Sequence, residues 1–540
     1  MKHKNILLAS AILVTCFGTM QVHAADVPAG VKLAAKQELV KGGGDEPSSL
    51  DPQKLTDQLG FIRAQDLFEG LYNLGKGGKL IPGVAESYTT TDNNTVYTFK
   101  LRSEAKWSDG SPVTAEDFVF GFERAVDPAT ASSYASYIAV PSIVNAQKII
   151  DGQAKPNTLG VKALDDHTFQ VTLEHPTPYF LSMTTFATMF PAPKKVIQKW
   201  GEDWTNPKHI ISNGAYKFNE YIINERMVFV RNHDYWNDKK TIINKVTVLP
   251  IKNVSLEFRR YQAGDIDFTS SAGIPPDRYK SLLKDIPDQV KISPLLSTTY
   301  YSFNSQKVPF DDVRVRKALS YAIDRDTIAK YVLDTGEVPS YLLTPSGIQG
   351  INLPTPKYTT WTQKQRNKKA QELLKEAGFD KSHPLNFTLL HANTEIQQRV
   401  TVAIAAMWKK TLGVTATLEK QEWKTFIETR QLGNFEVAYD AWGADYNEAS
   451  TFLNMMVTDS PTNNANYSNA NYDKLMADAA TMNDPTANYV KAEQQLINTD
   501  MAVAPLFQGD VKRLVKPYVG GYSPNSQDIN YTRDLYIIAH

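Results

Sequence analysis

One stretch of the chain, residues 423–448, decides the fold that we predict. It reads WKTFIETRQLGNFEVAYDAWGADYNE. Residues 423–430 have the spacing of a short amphipathic helix, a Gly-Asn pair then signals a turn, and residues 435–442 are typical of a strand. The stretch therefore predicts a helix, a tight turn and a strand that ends shortly before Asp445.

The end of this predicted strand carries an informative charged residue, Asp445. A carboxylate at the mouth of a strand, with Trp442 three residues before it, can hold an ammonium group beside an apolar wall. Alternatively, Asp445 simply caps a turn or the start of a helix over residues 448–455. The residues alone leave both interpretations open.

The composition is typical of a globular protein. The chain has 540 residues, of which 42% are hydrophobic and 21% are charged, which argues against disorder, collagen-like repeats and a disulfide scaffold. At roughly 150 residues per domain, we expect about three domains or one body with several sub-domains. Lys+Arg and Asp+Glu both number 58, so the chain has no overall charge to attract nucleic acid. Aromatic residues make up 11%, and we expect some of them to line a binding cleft.

The first 24 residues have the pattern of a secretory signal peptide. Two lysines precede a mostly apolar stretch over residues 6–20, and small residues end the segment at Ala24. Cleavage there also removes Cys16, the single cysteine, which excludes cysteine-based catalysis and cysteine-ligated metals in the mature chain. Lipidation of Cys16 is the alternative, but Thr15 is a poor residue before a lipidated cysteine. We therefore expect an exported, periplasmic protein.

Strand and helix patterns alternate irregularly along the rest of the chain. This order favours mixed α/β lobes over a regular βαβ barrel. Thr362 and Gln365 have the spacing of a capping box. Strands are predicted at residues 37–41, 95–101, 168–173, 227–231 and 246–251, and helices at residues 313–325, 362–378, 397–411 and 486–498.

No motif argues for catalysis, a metal or a cofactor. The histidines that remain after cleavage never have the i, i+4 spacing that places two imidazoles on one helix face, and no G-x-S-x-G is present. We therefore predict no catalytic residue, no metal site and no cofactor.

Eight ordered stretches carry a resemblance to a known family. In them the chain resembles the extracytoplasmic solute-binding proteins of family 5, and within that family the oligopeptide and murein-peptide receptors of ABC importers. The resemblance covers essentially the whole mature chain. The stretches are residues 49–52 (SLDP), 66–71 (DLFEGL), 82–87 (PGVAES), 105–110 (AKWSDG), 213–216 (NGAY), 312–316 (DVRVR), 423–425 (WKT) and 444–448 (ADYNE).

The resemblance implies an α/β fold of the two-lobed periplasmic-binding-protein type (type II, three sub-domains), with a ligand cleft between the lobes. The signal peptide covers residues 1–24. The discontinuous core of lobe 1 covers residues 25–69, 195–296 and 513–540, the extra sub-domain of lobe 1 covers residues 70–194, and lobe 2 covers residues 297–512.

The resemblance also implies the site residues. An Asp in the position of Asp445 pairs with the α-ammonium of a bound peptide, aromatic residues line the side-chain pockets, and Arg430 matches a cleft arginine. The predicted ligand-binding set is Asp445, Ala444, Trp442, Trp423, Arg430, Tyr300 and Tyr134.

Several positions of the cleft differ from the family pattern, and three of them concern the carboxyl end of the ligand. Where the oligopeptide receptors place basic residues for peptide carboxyl termini, this chain has Leu333, Gln397 and Tyr439, and Arg430 or Arg399 is a possible substitute. Two acidic cleft positions are Thr56 and Ser302, and a cysteine pair near the cleft is replaced by Ser297 and Gly443.

The leading hypothesis is a periplasmic receptor that binds short peptides by hinge closure and delivers them to the membrane permease of an ABC importer. It is expected to be a monomer with no nucleic-acid partner. The changed residues keep a murein tripeptide, or another amine-bearing solute, open as the ligand. Secreted peptide hydrolase and holdase chaperone are the hypotheses from other classes.

Overall fold

The computed structural model describes residues 27–482 and 484–540. The predicted signal peptide therefore lies outside the described residues. The strands are β1 Glu38–Gly42, β2 Tyr72–Leu74, β3 Leu80–Pro82, β4 Ala85–Thr91, β5 Val96–Leu101, β6 Val161–Asp165, β7 Thr168–Thr172, β8 Tyr216–Ile222, β9 Arg226–Arg231, β10 Lys245–Leu249, β11 Val290–Phe303, β12 Val338–Pro339, β13 Asn386–Ala392, β14 Thr415–Gln421, β15 Val437–Gly443, β16 Val503–Leu514, β17 Val519–Gly520 and β18 Tyr536–Ile537.

The α-helices are mostly short. They are α1 Gln58–Leu67, α2 Ala115–Val126, α3 Ala135–Ala139, α4 Ala146–Ile150, α5 Phe180–Met183, α6 Lys194–Trp200, α7 Val254–Ala263, α8 Tyr279–Asp285, α9 Val313–Tyr321, α10 Arg325–Thr327, α11 Gln363–Glu376, α12 Glu395–Leu412, α13 Trp423–Gln431, α14 Ser450–Leu453, α15 Ala470–Ala480 and α16 Thr486–Gln494. Turns of 3₁₀-helix cover Lys76–Gly78, Pro128–Thr130, Pro156–Thr158, Ala187–Met189, Gly201–Thr205, Asp238–Lys240, Pro276–Arg278, Lys357–Thr360, Asn454–Met456 and Thr532–Asp534, and turns of π-helix cover Ile328–Leu333 and Gln495–Thr499.

Three larger sheets organise the molecule. One four-stranded sheet has the order β1-β10-β9-β8, a second has the order β4-β5-β7-β6, and a six-stranded sheet has the order β12-β16-β11-β15-β13-β14. Parallel and antiparallel pairs occur together in the first and the last of these sheets. The fold is therefore mixed α/β, as predicted.

The buried side chains form two main cores, which define two halves of the molecule. The core of the first half draws on chain segments between Leu39 and Phe268 and between Val515 and Ile537. The core of the second half lies between Tyr301 and Phe507, around the six-stranded sheet. The sub-domain boundaries given above stay a prediction.

Two long antiparallel strands, β11 and β16, run from one half into the other. They pair from Val290↔Leu514 to Pro294↔Asp510, lose register, and pair again from Thr298↔Gln508 onward. A register shift of this kind bends the paired strands and raises their local twist. The ladder therefore has an irregular point between Pro294 and Thr298, next to the space between the halves.

Most predicted elements are present, with shifted ends. The predicted capping box is present, because Thr362 and Gln365 cap α11 reciprocally. The helix predicted over residues 313–325 is wrong in its extent, because α9 ends at Tyr321 and Asp324 starts a separate helix by accepting from the backbone N–H of Thr327 at 3.0 Å. Within residues 27–482 and 484–540, no helix combines the length and the hydropathy that a bilayer crossing requires.

Candidate ligand-binding cleft

A cavity of about 290 Å³ lies between the two halves. The first half contributes segments around α1, α3 and the chain near Gln527, and the second half contributes α13, β15 and the loop that follows β15. A second chamber of the same volume shares Thr185, Gln527 and Ile529 with this lining. The first volume alone is at the lower end of the range for ligand sites, so the cleft suits a small ligand.

Helix α13 contributes one face to the cavity. Trp423, Ile427 and Arg430 all line it, and their spacing of four and three residues places them on the same side of a helix. Gly433 then adopts φ +66, a left-handed conformation that is accessible to glycine without strain. This turn returns the chain directly into β15, as the sequence predicts.

Strand β15 begins in the core of the second half, and its last four residues line the cavity. Asp440 and Trp442 lie two residues apart on one face and line the cavity. Tyr439 lies on the other face, is buried in the core and contacts Tyr301 edge-on. Tyr439 therefore lies below the cavity floor, whereas Ala441 and Gly443, farther along the strand, also line the cavity.

Asp445 follows β15 and lies on the cavity lining with an unpaired carboxylate. Its backbone N–H donates to Thr451 Oγ1 at 3.1 Å, but within the described residues no side chain or backbone group hydrogen bonds or ion-pairs with the carboxylate. Burial raises the pKa of Asp445 well above its usual range. Burial and the nearby Asp445 charge raise the pKa values of Tyr134 and Tyr137, so this carboxylate faces the first half.

The alternative interpretation of Asp445 as a helix cap does not match the structure. The residue that accepts from the backbone N–H of Ser450 at the start of α14 is Glu448, through its side chain at 2.7 Å. Asp445 is therefore left available to a ligand.

Arg430 and Asp440 form an ion pair on the cavity lining. Arg430 Nη1 donates to Asp440 Oδ1, and the side chains are only 10% and 2% exposed. Asp440 Oδ2 also accepts from Ser302 Oγ and Asn464 Nδ2, both at 3.0 Å. The guanidinium charge is therefore already neutralised by the protein.

Aromatic side chains meet across the cleft. The rings of Tyr134 and Trp442 stack 5.9 Å apart with an angle of 8° between their planes. Trp442 Nε1 and Trp423 Nε1 are both buried without a hydrogen-bond partner. Because buried indole N–H groups usually donate a hydrogen bond, these two donors are available to a ligand in the cavity.

Six of the seven predicted residues lie on the lining, and Tyr300 does not. The six are Asp445, Ala444, Trp442, Trp423, Arg430 and Tyr134. Tyr300 is only 2% exposed, and its hydroxyl points to Met455 Sδ at 3.8 Å. It is packed behind the cavity wall in this arrangement.

Leu333 and Gln397, which stand where the oligopeptide receptors have basic residues, and the possible substitute Arg399 all lie away from the cavity. Leu333 is buried in the core of the second half, Gln397 accepts from the backbone N–H of Ala392 at 2.8 Å, and Arg399 donates to the carbonyl of Val332 at 2.6 Å. None of these three residues is on the lining of either chamber. Arg399 therefore does not replace the missing basic residues in this arrangement.

Ser297 and Gly443 lie opposite each other on neighbouring strands. They are register partners in the β11–β15 pair, and a Cβ atom at Gly443 would lie 4.0 Å from Ser297 Cβ. This separation lies within the range found in disulfides. The geometry thus fits the cysteine pair that the resemblance places at these two positions.

The analysis of the sequence did not single out Asp440, Asn464 or Gln527. Asp440 had a signal, because it is the one charged residue in the apolar strand Val437–Gly443. Asn464 and Gln527 come from distant loops that carry no local pattern. The described residues contain no group of three or more His, Cys, Asp or Glu side chains placed to hold a metal ion.

The sequence matches a family profile over most of its length. Residues 79–464 match the profile described as bacterial extracellular solute-binding proteins, family 5 middle. The chain belongs to this family. It is 46% identical over 541 residues to the periplasmic oligopeptide-binding protein OppA of Salmonella typhimurium, covering 99% of both chains.

Two solved structures of relatives show which arrangement of the halves is present. The chain is similar to Haemophilus influenzae OppA in complex with the peptide RPPGFSPFR, with a TM-score of 0.92 and 44% identity over 94% of this chain and 100% of that one. It is also 44% identical to the unliganded open form of the murein tripeptide-binding protein MppA, over 95% and 99% of the two chains, but the TM-score is 0.66. The halves are therefore arranged as in the peptide complex.

These comparisons confirm the class of protein. The chain is a periplasmic solute-binding protein with the fold of the OppA and MppA structures, and it is not an enzyme. The hydrolase hypothesis is thereby set aside.

Proposed function

We propose that this protein is a periplasmic receptor that encloses short peptides between its halves and delivers them to the permease of an ABC importer. The observation that carries the proposal is the unpaired Asp445 carboxylate in a cavity enclosed by both halves. A half-buried carboxylate without a partner is unfavourable, and the α-ammonium of a peptide would supply the missing charge. OppA of Salmonella typhimurium is named for oligopeptide binding, which supports the same ligand class.

The remaining predicted residues have supporting roles in this proposal. Trp423 and Trp442 offer indole N–H groups and flat apolar faces to the ligand, and Tyr134 and Ala444 complete the wall around the ammonium. Tyr300 supports the wall from behind. The three sub-domains with the boundaries given above belong to the proposal, with the β11–β16 ladder as the hinge.

The test compares peptide affinities of the wild type and Asp445→Asn by calorimetry. The variant leaves the ligand ammonium without its charge partner, so we expect a loss of about 3 kcal/mol, or roughly 100-fold in Kd. Asp459→Asn is a matched control, because Asp459 is exposed and lies off the lining of either chamber. Equal affinities for the wild type and Asp445→Asn would contradict the assignment.

The pH dependence of binding provides a second readout. Burial raises the pKa of Asp445, and a ligand ammonium pairs only with the ionised form. Affinity should therefore rise with pH through a range above that of an ordinary Asp. This slope should be absent in Asp445→Asn.

A murein tripeptide is the second candidate ligand, and the similarity to MppA favours it. Competition between murein tripeptide and an ordinary tripeptide separates the two. If only a large excess of murein tripeptide displaces a bound ordinary tripeptide, the ordinary tripeptide binds more tightly. That outcome supports the broad peptide receptor.

A further inference from the structure

The segment that carries Asp445 makes its backbone hydrogen bonds with two parts of the molecule. The N–H of Ala444 donates to the carbonyl of Leu296 at 2.7 Å, and the N–H of Asp445 donates to Thr451 Oγ1 at 3.1 Å. Both acceptors belong to the second half, where Leu296 shares a core with residues of α14. In the part of the chain that the structure describes, the carbonyl groups of Ala444 and Asp445 have a single donor, the side chain of Gln527. Because backbone carbonyls need donors, the segment depends on Gln527.

The side-chain amide of Gln527 lines both chambers of the cleft. Its Nε2 donates to the carbonyl of Ala444 at 3.3 Å and to the carbonyl of Asp445 at 3.4 Å. Both hydrogens of a side-chain amide are on its nitrogen, so two neighbouring carbonyl groups fix the direction in which the amide faces. Hydrogen bonds of this length are weak individually, but removing their common donor leaves two carbonyl groups unpaired.

The same contacts reach the irregular point of the β11–β16 ladder. Leu296 lies at this point, where β11 is out of register with β16. Its backbone N–H donates to the carbonyl of Ser526 at 2.7 Å, and its own carbonyl accepts from Ala444. Gln527 directly follows Ser526, so its side chain connects the C-terminal segment to the Asp445 segment a second time.

The carboxylate of Asp445 has no partner of its own within the described residues, so its position is set by the main chain that carries it. A binding group that is already held in place loses less conformational freedom when the ligand arrives. We propose that Gln527 is a positioning residue that holds the Ala444–Asp445 segment in place, so that the Asp445 carboxylate meets the ligand ammonium without rearranging. This inference rests on the proposed function and adds a residue to its ammonium site.

The direct test compares the affinities of the wild type and Gln527→Met for the peptide Ala-Phe-Ala by calorimetry. Methionine keeps the length of the side chain and removes both donors, so we expect about fivefold weaker binding. Gln527→Asn, which keeps the amide but shortens the side chain by one methylene, should show a similar loss. Gln371→Met is the matched control, because Gln371 is exposed, donates to the carbonyl of Thr411 at 2.9 Å and lies on neither chamber's lining. Wild-type affinity in both Gln527 variants overturns the inference.

A double-mutant cycle with Asp445→Asn separates positioning of the carboxylate from general support of the cleft. If Gln527 acts through the Asp445 carboxylate, Gln527→Met should cost about fivefold in affinity in the wild-type background and less than about twofold in Asp445→Asn. Equal losses in both backgrounds overturn the inference and leave the proposed function intact, because Asp445→Asn alone still weakens binding. Wild-type affinity in Asp445→Asn contradicts the proposed function and the inference together.

Hydrogen exchange of the peptide-free protein provides a readout that does not depend on affinity. Loss of the Gln527 contact should loosen the segment, so the amides of Ala444 and Asp445 should exchange several-fold faster in Gln527→Met. The amides of β13, which lies in the same sheet as β15, should exchange at the wild-type rate and show that the variant is folded. Unchanged exchange at Ala444 and Asp445 overturns the inference.

Discussion

Two contacts between the halves differ in their chemistry. At the first, Tyr446 of the second half packs into the core of the first half, stacked on Tyr179 at 5.3 Å and edge-on to Tyr137 at 6.0 Å. At the second, Lys252 of the first half pairs with Glu422 of the second half and with Asp45 at 3.3 Å.

The difference in burial predicts which contact stabilises the closed arrangement. Tyr446 is 2% exposed, whereas the side chains of Lys252 and Glu422 are 35% and 59% exposed. A buried aromatic contact contributes through area and packing, whereas an exposed ion pair contributes about 0–1 kcal/mol and is screened by salt. Closure of the halves should therefore depend on the aromatic contact much more than on the ion pair.

Removal of the aromatic contact should have the largest effect. Tyr446→Ala empties a buried ring site between the halves, which destabilises the closed form by about 3 kcal/mol. We expect roughly 100-fold weaker peptide binding and an increase in the radius of gyration in the presence of peptide, measured by calorimetry and small-angle X-ray scattering.

The matched control for this variant is Tyr446→Phe. It loses only the hydrogen bond to Ser450 Oγ at 2.8 Å, so its affinity should change by much less than that of Tyr446→Ala. Wild-type affinity in Tyr446→Ala would show that the aromatic contact does not control closure.

A substitution inside the second half tests the stability of the fold without touching the contacts between the halves. Glu493 is fully buried in the second half and accepts from Leu343 N–H at 2.6 Å and from Thr344 Oγ1 at 2.8 Å, and burial raises its pKa to about 7. Because the folded pKa lies above the unfolded value of 4.5, this group's contribution to stability is fully present below pH 4.5 and is lost as pH rises to about 7.

Glu493→Gln should remove this pH dependence. The free energy of unfolding of the wild type, relative to the variant, should fall by an amount on the order of 3 kcal/mol between about pH 4.5 and pH 7. Peptide affinity at one pH should stay unchanged, because Glu493 lies on neither chamber's lining. Parallel unfolding curves of the two proteins across this pH range would contradict the prediction.

The sequence predicts the local elements of the cleft better than its chemistry. The helix, turn and strand of residues 423–448 are predictable because periodicity and the Gly-Asn turn are local signals, and the structure confirms them as α13, Gly433 and β15. The Arg430–Asp440 pair is not predictable in this way, because the two residues lie ten positions apart on different elements.

Contacts between segments that are distant in the chain cannot be predicted from local sequence patterns. Tyr300 matches a family cleft position, yet the side chain is covered by Met455, 155 residues away in the chain. The stacking of Tyr134 on Trp442 likewise depends on how the halves approach each other, which no local pattern encodes.

The smallest effect should come from the ion pair. Lys252→Met removes the cation between Asp45 and Glu422, and because the pair is exposed we expect a loss of affinity of less than about 1 kcal/mol at low ionic strength. This loss should vanish at high salt, where charges are screened within a few ångströms. Lys474→Met is the matched control, because it breaks an exposed pair with Asp478 inside one helix and should leave peptide affinity unchanged at any salt. A loss in Lys252→Met as large as that in Tyr446→Ala, or one that persists at high salt, would mean that the polar contact rather than the aromatic one holds the halves together.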